Sequence, residues 1–151
     1  MDGLGYDILA TLVYAGMGVA LLIIGFLMLD AITPGKLGEQ IMGDHDGTGS
    51  GRRPSINAGL LAMFSQLSIG LIIFTALWTN VDDSLGEAVA WTLIFGLLGI
   101  ALQALIFKLV DLATPGQLAY VLMEHDPLHG ATLFAGGSML AAAGVVCASI
   151  A

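Results

Sequence analysis

Charge is what this sequence has least of. Asp, Glu, Lys and Arg make up 11% of the residues against 57% hydrophobic, and the mean hydropathy is +0.92. A soluble domain of 151 residues needs far more charge to cover its surface. A soluble all-α bundle would also need polar helix faces, and no long apolar run here has one. The charge that exists is confined, since residues 8–29, 54–81, 88–107 and 127–151 contain no Asp, Glu, Lys or Arg. Each gap reaches the roughly 20 residues that a helix rising about 1.5 Å per residue needs to cross ~30 Å of hydrocarbon. The reading is an all-α, polytopic membrane protein with four transmembrane helices, near 8–29, 56–79, 88–110 and 128–150. Together they form one transmembrane domain over residues 1–151.

Other scarcities exclude other classes. A single cysteine, Cys147, rules out a disulfide within the chain, and its apolar neighbours suit a small buried residue. The opening MDGLGYD is acidic where a cleavable signal peptide has a positive n-region. The net charge of −8 argues against nucleic acid and against anionic lipid headgroups as partners. Only four basic residues occur: Lys36, Arg52 and Arg53 between the first two helices, and Lys108 beside the loop that joins the last two. Basic residues gather on the cytoplasmic side. Both termini are therefore expected to face outward, with Trp78 and Trp91 as an aromatic belt at the outer interface.

What the chain does have is a phrase written twice. LDAITPGKLGEQIM at residues 29–42 is matched by VDLATPGQLAYVLM at residues 110–123, a spacing of 81. It pairs Asp30 with Asp111, Thr33 with Thr114, Pro34 with Pro115 and Gly35 with Gly116. Further on, RPSINAGLLA pairs with DPLHGATLFA at a spacing of 73, the first loop carrying an insertion near GDHDGTGSG. The chain thus reads as two units, about 8–80 and 88–151, each a helix, a corner, a short amphipathic segment and a second helix. Each unit crosses twice, so the repeats run parallel, with a pseudo-twofold axis along the membrane normal.

The corner has a physical reading. Proline ends the helix before it. Thr33 and Thr114 are placed to act as N-caps of a new helix, with Pro34 and Pro115 at its first position. Gln117 completes a capping box in the second copy, where Lys36 stands in the first. Leu37 with Ile41, and Leu118 with Leu122, give each short helix an apolar face suited to the headgroup plane.

The paired Thr-Pro corners, the four-helix two-repeat layout and the stretch HDPLHGATLFAGG resemble the YjfL-like family of small bacterial inner-membrane proteins, a domain of unknown function. The resemblance spans essentially the whole chain. It implies a multipass bacterial plasma-membrane protein and no established chemistry. The family carries Asn near the start of the second helix of each unit. Asn57 matches that pattern, and Gly130 stands at the aligned place in the second copy.

A few residues could carry chemistry. Asp30 and Asp111 end membrane helices, where they either satisfy the corner backbone or form the mouth of a cation or proton path. Lys108, three residues before Asp111, is placed for a helical ion pair. Gln66 and Gln103 are the most membrane-central amides. They either fix packing by interhelical hydrogen bonds or line a permeation path. The clusters Asp44, His45, Asp46 and Glu124, His125, Asp126, His129 hold metal-ligand types. Pro127 spoils helical spacing between the two histidines, so these read as solvated, weakly cation-attracting loops. Glycines such as Gly99 and Gly144 permit close helix approach, within the chain or between copies. No nucleophile–base constellation, phosphate loop or cofactor fingerprint is present. The functional expectation is a non-enzymatic scaffold or regulatory membrane subunit. It would need no cofactor and would pack as a homo-oligomer or with a cytoplasmic or membrane protein partner. The alternative is a channel or facilitator for a small cation.

Overall fold

The computed structural model describes residues 3–33, 35–43, 53–80, 84–113 and 128–151. All regular structure among them is helical: α1 (Gly3–Ile32), α2 (Leu37–Met42), α3 (Ile56–Thr79), α4 (Leu85–Ala113) and α5 (Gly130–Ile150). Four of the five are long and apolar enough to cross a membrane. The protein is an all-α polytopic membrane protein. The spans expected from the charge-free gaps place α3 and α5 within two residues, but α1 and α4 extend past theirs at both ends. Asp7, Asp30, Glu87, Lys108 and Asp111 lie inside helices. A charged residue does not end a helix. It marks where the helix meets the interface, so charge gaps report the hydrocarbon crossing rather than the helix.

The helices pack as a rhombus. α3 contacts α1, α4 and α5, and α4 contacts α1, α3 and α5, whereas α1 and α5 are not packed on each other. Burial follows from that arrangement. α3 buries a wide stripe that includes Asn57, Leu61, Ser65, Ile69, Ile72 and Ala76. α5 buries a narrow one: Thr132, Ala135, Gly136, Met139 and Ala143. α1 buries only Leu21, Gly25 and Leu29.

Apolar burial gives no drive to association in lipid, so helix contacts rest on close packing and interhelical hydrogen bonds. Large side chains meet glycines throughout. A Cβ added at Gly96 would lie 2.6 Å from Leu21, and one at Gly99 would lie 2.8 Å from Ile72. Gly25 receives Ile69, and Gly136 receives Phe64. Gly99 therefore serves contact within the chain, not between copies as the sequence allowed. Gly144 has nothing within 4 Å.

Candidate functional site

The polar residues singled out from the sequence fall into three places. The first is the corner after α1. Thr33 does not cap the next helix: its hydroxyl donates back to the Leu29 carbonyl at 2.8 Å, closing the end of α1. Gly35 (φ 88°) and Lys36 (φ 53°) turn the chain through the left-handed region, and α2 starts only at Leu37. Three residues now separate Thr33 from the helix it was expected to cap, and its hydroxyl serves the end of α1 instead. Asp30 takes over the task, its Oδ1 accepting the Gly38 N–H at 2.8 Å. Lys36 pairs with Glu39 at 3.0 Å, and this hydrogen bond raises the Lys36 pKa above its ordinary value.

α2 does not present its apolar face to lipid. Leu37 is fully buried in a core with Leu29, Ala58, Leu61 and Phe107, and Ile41 packs against it. The Gln40 carbonyl accepts the Ser55 N–H at 2.8 Å, tying α2 to the start of α3. Ser55 caps α3 by accepting the Ala58 N–H at 3.3 Å. That cap was missed at the sequence level, where its signal is a serine immediately before the apolar run.

Pro34 and the whole second corner, including Thr114, Pro115 and Gly116, lie outside the described residues, as do Asp44, His45, Asp46, Glu124, His125 and Asp126. Among the described residues no three His, Cys, Asp or Glu gather as a metal site. Asp111 is half-buried near the end of α4 and Lys108 is exposed. The ion pair expected between them is not formed, and Lys36 with Glu39 is the ion pair among the described residues. Lys108 lies on the outward side of α4, with Leu109 and Leu112, away from the bundle side that Asp111 partly shares with Val110.

The second place is the start of α5. Asn57 is 2% exposed. Its Oδ1 accepts both the His129 N–H at 3.0 Å and the Thr132 hydroxyl at 3.2 Å. His129 is the N-cap of α5 and makes no side-chain cap of its own. A side chain from the first unit thus closes the helix start in the second, and the second unit carries Gly130 at the position of Asn57. Thr132 was missed at the sequence level because its partner lies 75 residues away.

The third place is the middle of each hairpin. The Gln66 amide on α3 donates to the Leu22 carbonyl on α1 at 3.1 Å. The Gln103 amide on α4 donates to the Met139 carbonyl on α5 at 3.1 Å. The Oε1 atoms of both are buried and unpaired, as is the Thr92 hydroxyl. Where Gln103 meets Gly25, Leu29, Ser65, Ile69 and Ile100, the packing leaves no space for a water molecule. Gln66 also borders a shallow, open apolar groove of about 470 Å³ with Leu22, Met63, Leu67 and Gly70.

The model of the family described as Domain of Unknown Function (DUF350) matches residues 3–150. The chain is similar to a UPF0719 transmembrane protein of Mycolicibacterium paratuberculosis, 30% identical over 141 residues, which cover 93% of this chain and 86% of the relative. It is also similar to a UPF0719 transmembrane protein of Mycobacterium bovis, 28% identical over 148 residues, covering 96% of this chain and 88% of the relative. No solved structure matches.

Proposed function

This chain belongs to the DUF350 family, and we propose that it serves there as a non-catalytic, oligomeric scaffold or regulatory subunit of the bacterial plasma membrane, with both termini in the periplasm. The observation that carries this reading is what the membrane-central amides do. Gln66 and Gln103 each donate one N–H to the carbonyl of a neighbouring helix. The space beside Gln103 admits no water. A permeation path needs polar groups turned toward a wet lumen. Here they knit helices together, as in a rigid packing unit. Asp30 likewise serves the corner backbone, and Asn57 serves a helix start. Partners would then meet the exposed corner surface around Lys36 and Glu39, or the lipid-facing helix sides.

Purification in a mild detergent tests this, with the particle mass measured and co-purifying proteins identified. Scaffold function requires a defined multiple of the 15.6 kDa chain or a stoichiometric partner. A clean monomer with no partner would sink it.

A further inference from the structure

The two units of the chain meet where α3 packs on α4 and α5 and where α1 packs on α4. One joint in that interface, α3 on α4, sets the second helix of one unit on the first helix of the next. The same joint has a second, unused copy. At the spacing of 81, Gly99 and Ile100 of α4 correspond to Gly18 and Val19 of α1. At the spacing of 73, Ile72 and Ala76 of α3 correspond to Val145 and Ser149 of α5. In the joint within the chain, Ile72 (1% exposed) sits on Gly99, and Ile100 is 4% exposed. At the corresponding positions Val145 is 71% exposed and Val19 is 57% exposed. Ser149 is exposed where Ala76 is buried, and Gly18 has only Ile73 near it, at 4.0 Å. These two faces cannot meet within one chain, because α1 and α5 are not packed together.

We infer that α5 of one copy packs on α1 of a second copy, Val145 seating on Gly18 as Ile72 seats on Gly99. The inference rests on the oligomeric reading above and specifies its interface. Its warrant is the joint already built between the units: the next unit in the series can only come from another molecule. Both faces carry the residue types that the internal joint uses, a β-branched side chain opposite a glycine. Val145 and Val19 are exposed, and Gly18 is half-buried with no neighbouring atom closer than 4.0 Å to its Cβ position. The contact is head-to-tail, each copy giving its α5 to one neighbour and its α1 to another. Such a contact closes into a ring or continues, according to its rotation.

The test uses two differently tagged full-length chains in one membrane, both with Cys147→Ser. One carries Gly18→Cys and the other Val145→Cys, and copper phenanthroline is the oxidant. A control replaces Gly18→Cys by Leu98→Cys, one residue from the equivalent depth on α4 and exposed. The expected result is a disulfide-linked pair of tagged chains at least several-fold above the control. Val145→Trp, which should fold because the position is open, should reduce the particle mass in mild detergent. A multimer whose crosslinking equals the Leu98 control overturns this interface and leaves the oligomeric reading standing. A monomeric wild type, with α1 and α5 covered by lipid alone, overturns both.

Discussion

Gln103 donates to the carbonyl of Met139, and Met139 stands in the second unit where Gln66 stands in the first. The spacings make this explicit: 103 less 81 is 22, and 139 less 73 is 66. The tie in the first hairpin runs from Gln66 on its second helix to Leu22 on its first. The tie in the second runs from Gln103 on its first helix to Met139 on its second. The same pair of positions is bonded in both hairpins with donor and acceptor exchanged. What each unit requires at this depth is one amide N–H facing one backbone carbonyl, from either side.

That exchange predicts a rescue. Gln66→Met alone should lower stability by about 0.6–2 kcal/mol, the range for an interhelical hydrogen bond in a membrane. Adding Leu22→Gln installs in the first hairpin the arrangement of the second, and should restore most of the loss. Thermal unfolding in mild detergent measures both variants. A double variant no better than Gln66→Met would mean the two sites are not equivalent.

Asn57 should behave as the cap of a helix that is not its own. Asn57→Ala removes the acceptor for the His129 N–H and the Thr132 hydroxyl, at a cost of about 1–3 kcal/mol. Hydrogen exchange should speed up at the first amides of α5, by roughly tenfold for each 1.4 kcal/mol lost. Exchange in the first turn of α3, where Asn57 itself resides, should change less. Equal acceleration in both helices would argue for general loosening instead.

Much of the fold was legible because lipid imposes one strong rule, and the charge-free gaps display it directly. The corner was legible as a corner, since Thr-Pro-Gly stops a helix. Its wiring was not. Capping rules assume that the cap precedes its helix by one residue, and Asp30 reaches Gly38 from eight residues upstream. Gly35 announced a turn, but nothing marked Lys36 for a positive φ, which is rare for a lysine. Asn57 was visible as a singular polar residue, though its partners depend on how α3 meets α5. The exchanged glutamines were present in the spacings 81 and 73. They became recognisable only when the acceptors proved to be carbonyls, which any residue supplies.

Lys36→Gly should raise the unfolding midpoint. Glycine adopts φ 53° without the Cβ clash that lysine suffers there. The ion pair with Glu39 that is lost is solvent-exposed, so its contribution is small. Lys36→Val should lower the midpoint, because a β-branched residue fits that backbone worse still. A fall with glycine would show that the Lys36–Glu39 pair holds the corner.

The proposed orientation rests on four basic residues and can be checked directly. A reporter active only outside the cytoplasm should work when fused after Ala151 and fail when inserted within residues 46–49. The reverse pattern would place the corners outside and invert the topology.

The last prediction separates a scaffold from a cation facilitator. If Asp30 and Asp111 form a mouth for cations, they must stay ionised beside water, and changing both to Asn should abolish flux. If they serve the corners, Asn should do nearly as well, because its side-chain oxygen can still accept the Gly38 N–H now bound by Asp30 Oδ1. Asp30→Ala would lose that bond, at about 1 kcal/mol. Flux into proteoliposomes should therefore equal that of empty liposomes across sodium, potassium and proton gradients, for wild type and double Asn variant alike. Unfolding midpoints should rank wild type and Asp30→Asn together, above Asp30→Ala. Wild-type flux that vanishes in a double Asn variant of unchanged stability would reverse the assignment: the carboxylates would then act through their charge, not through the hydrogen bond they accept.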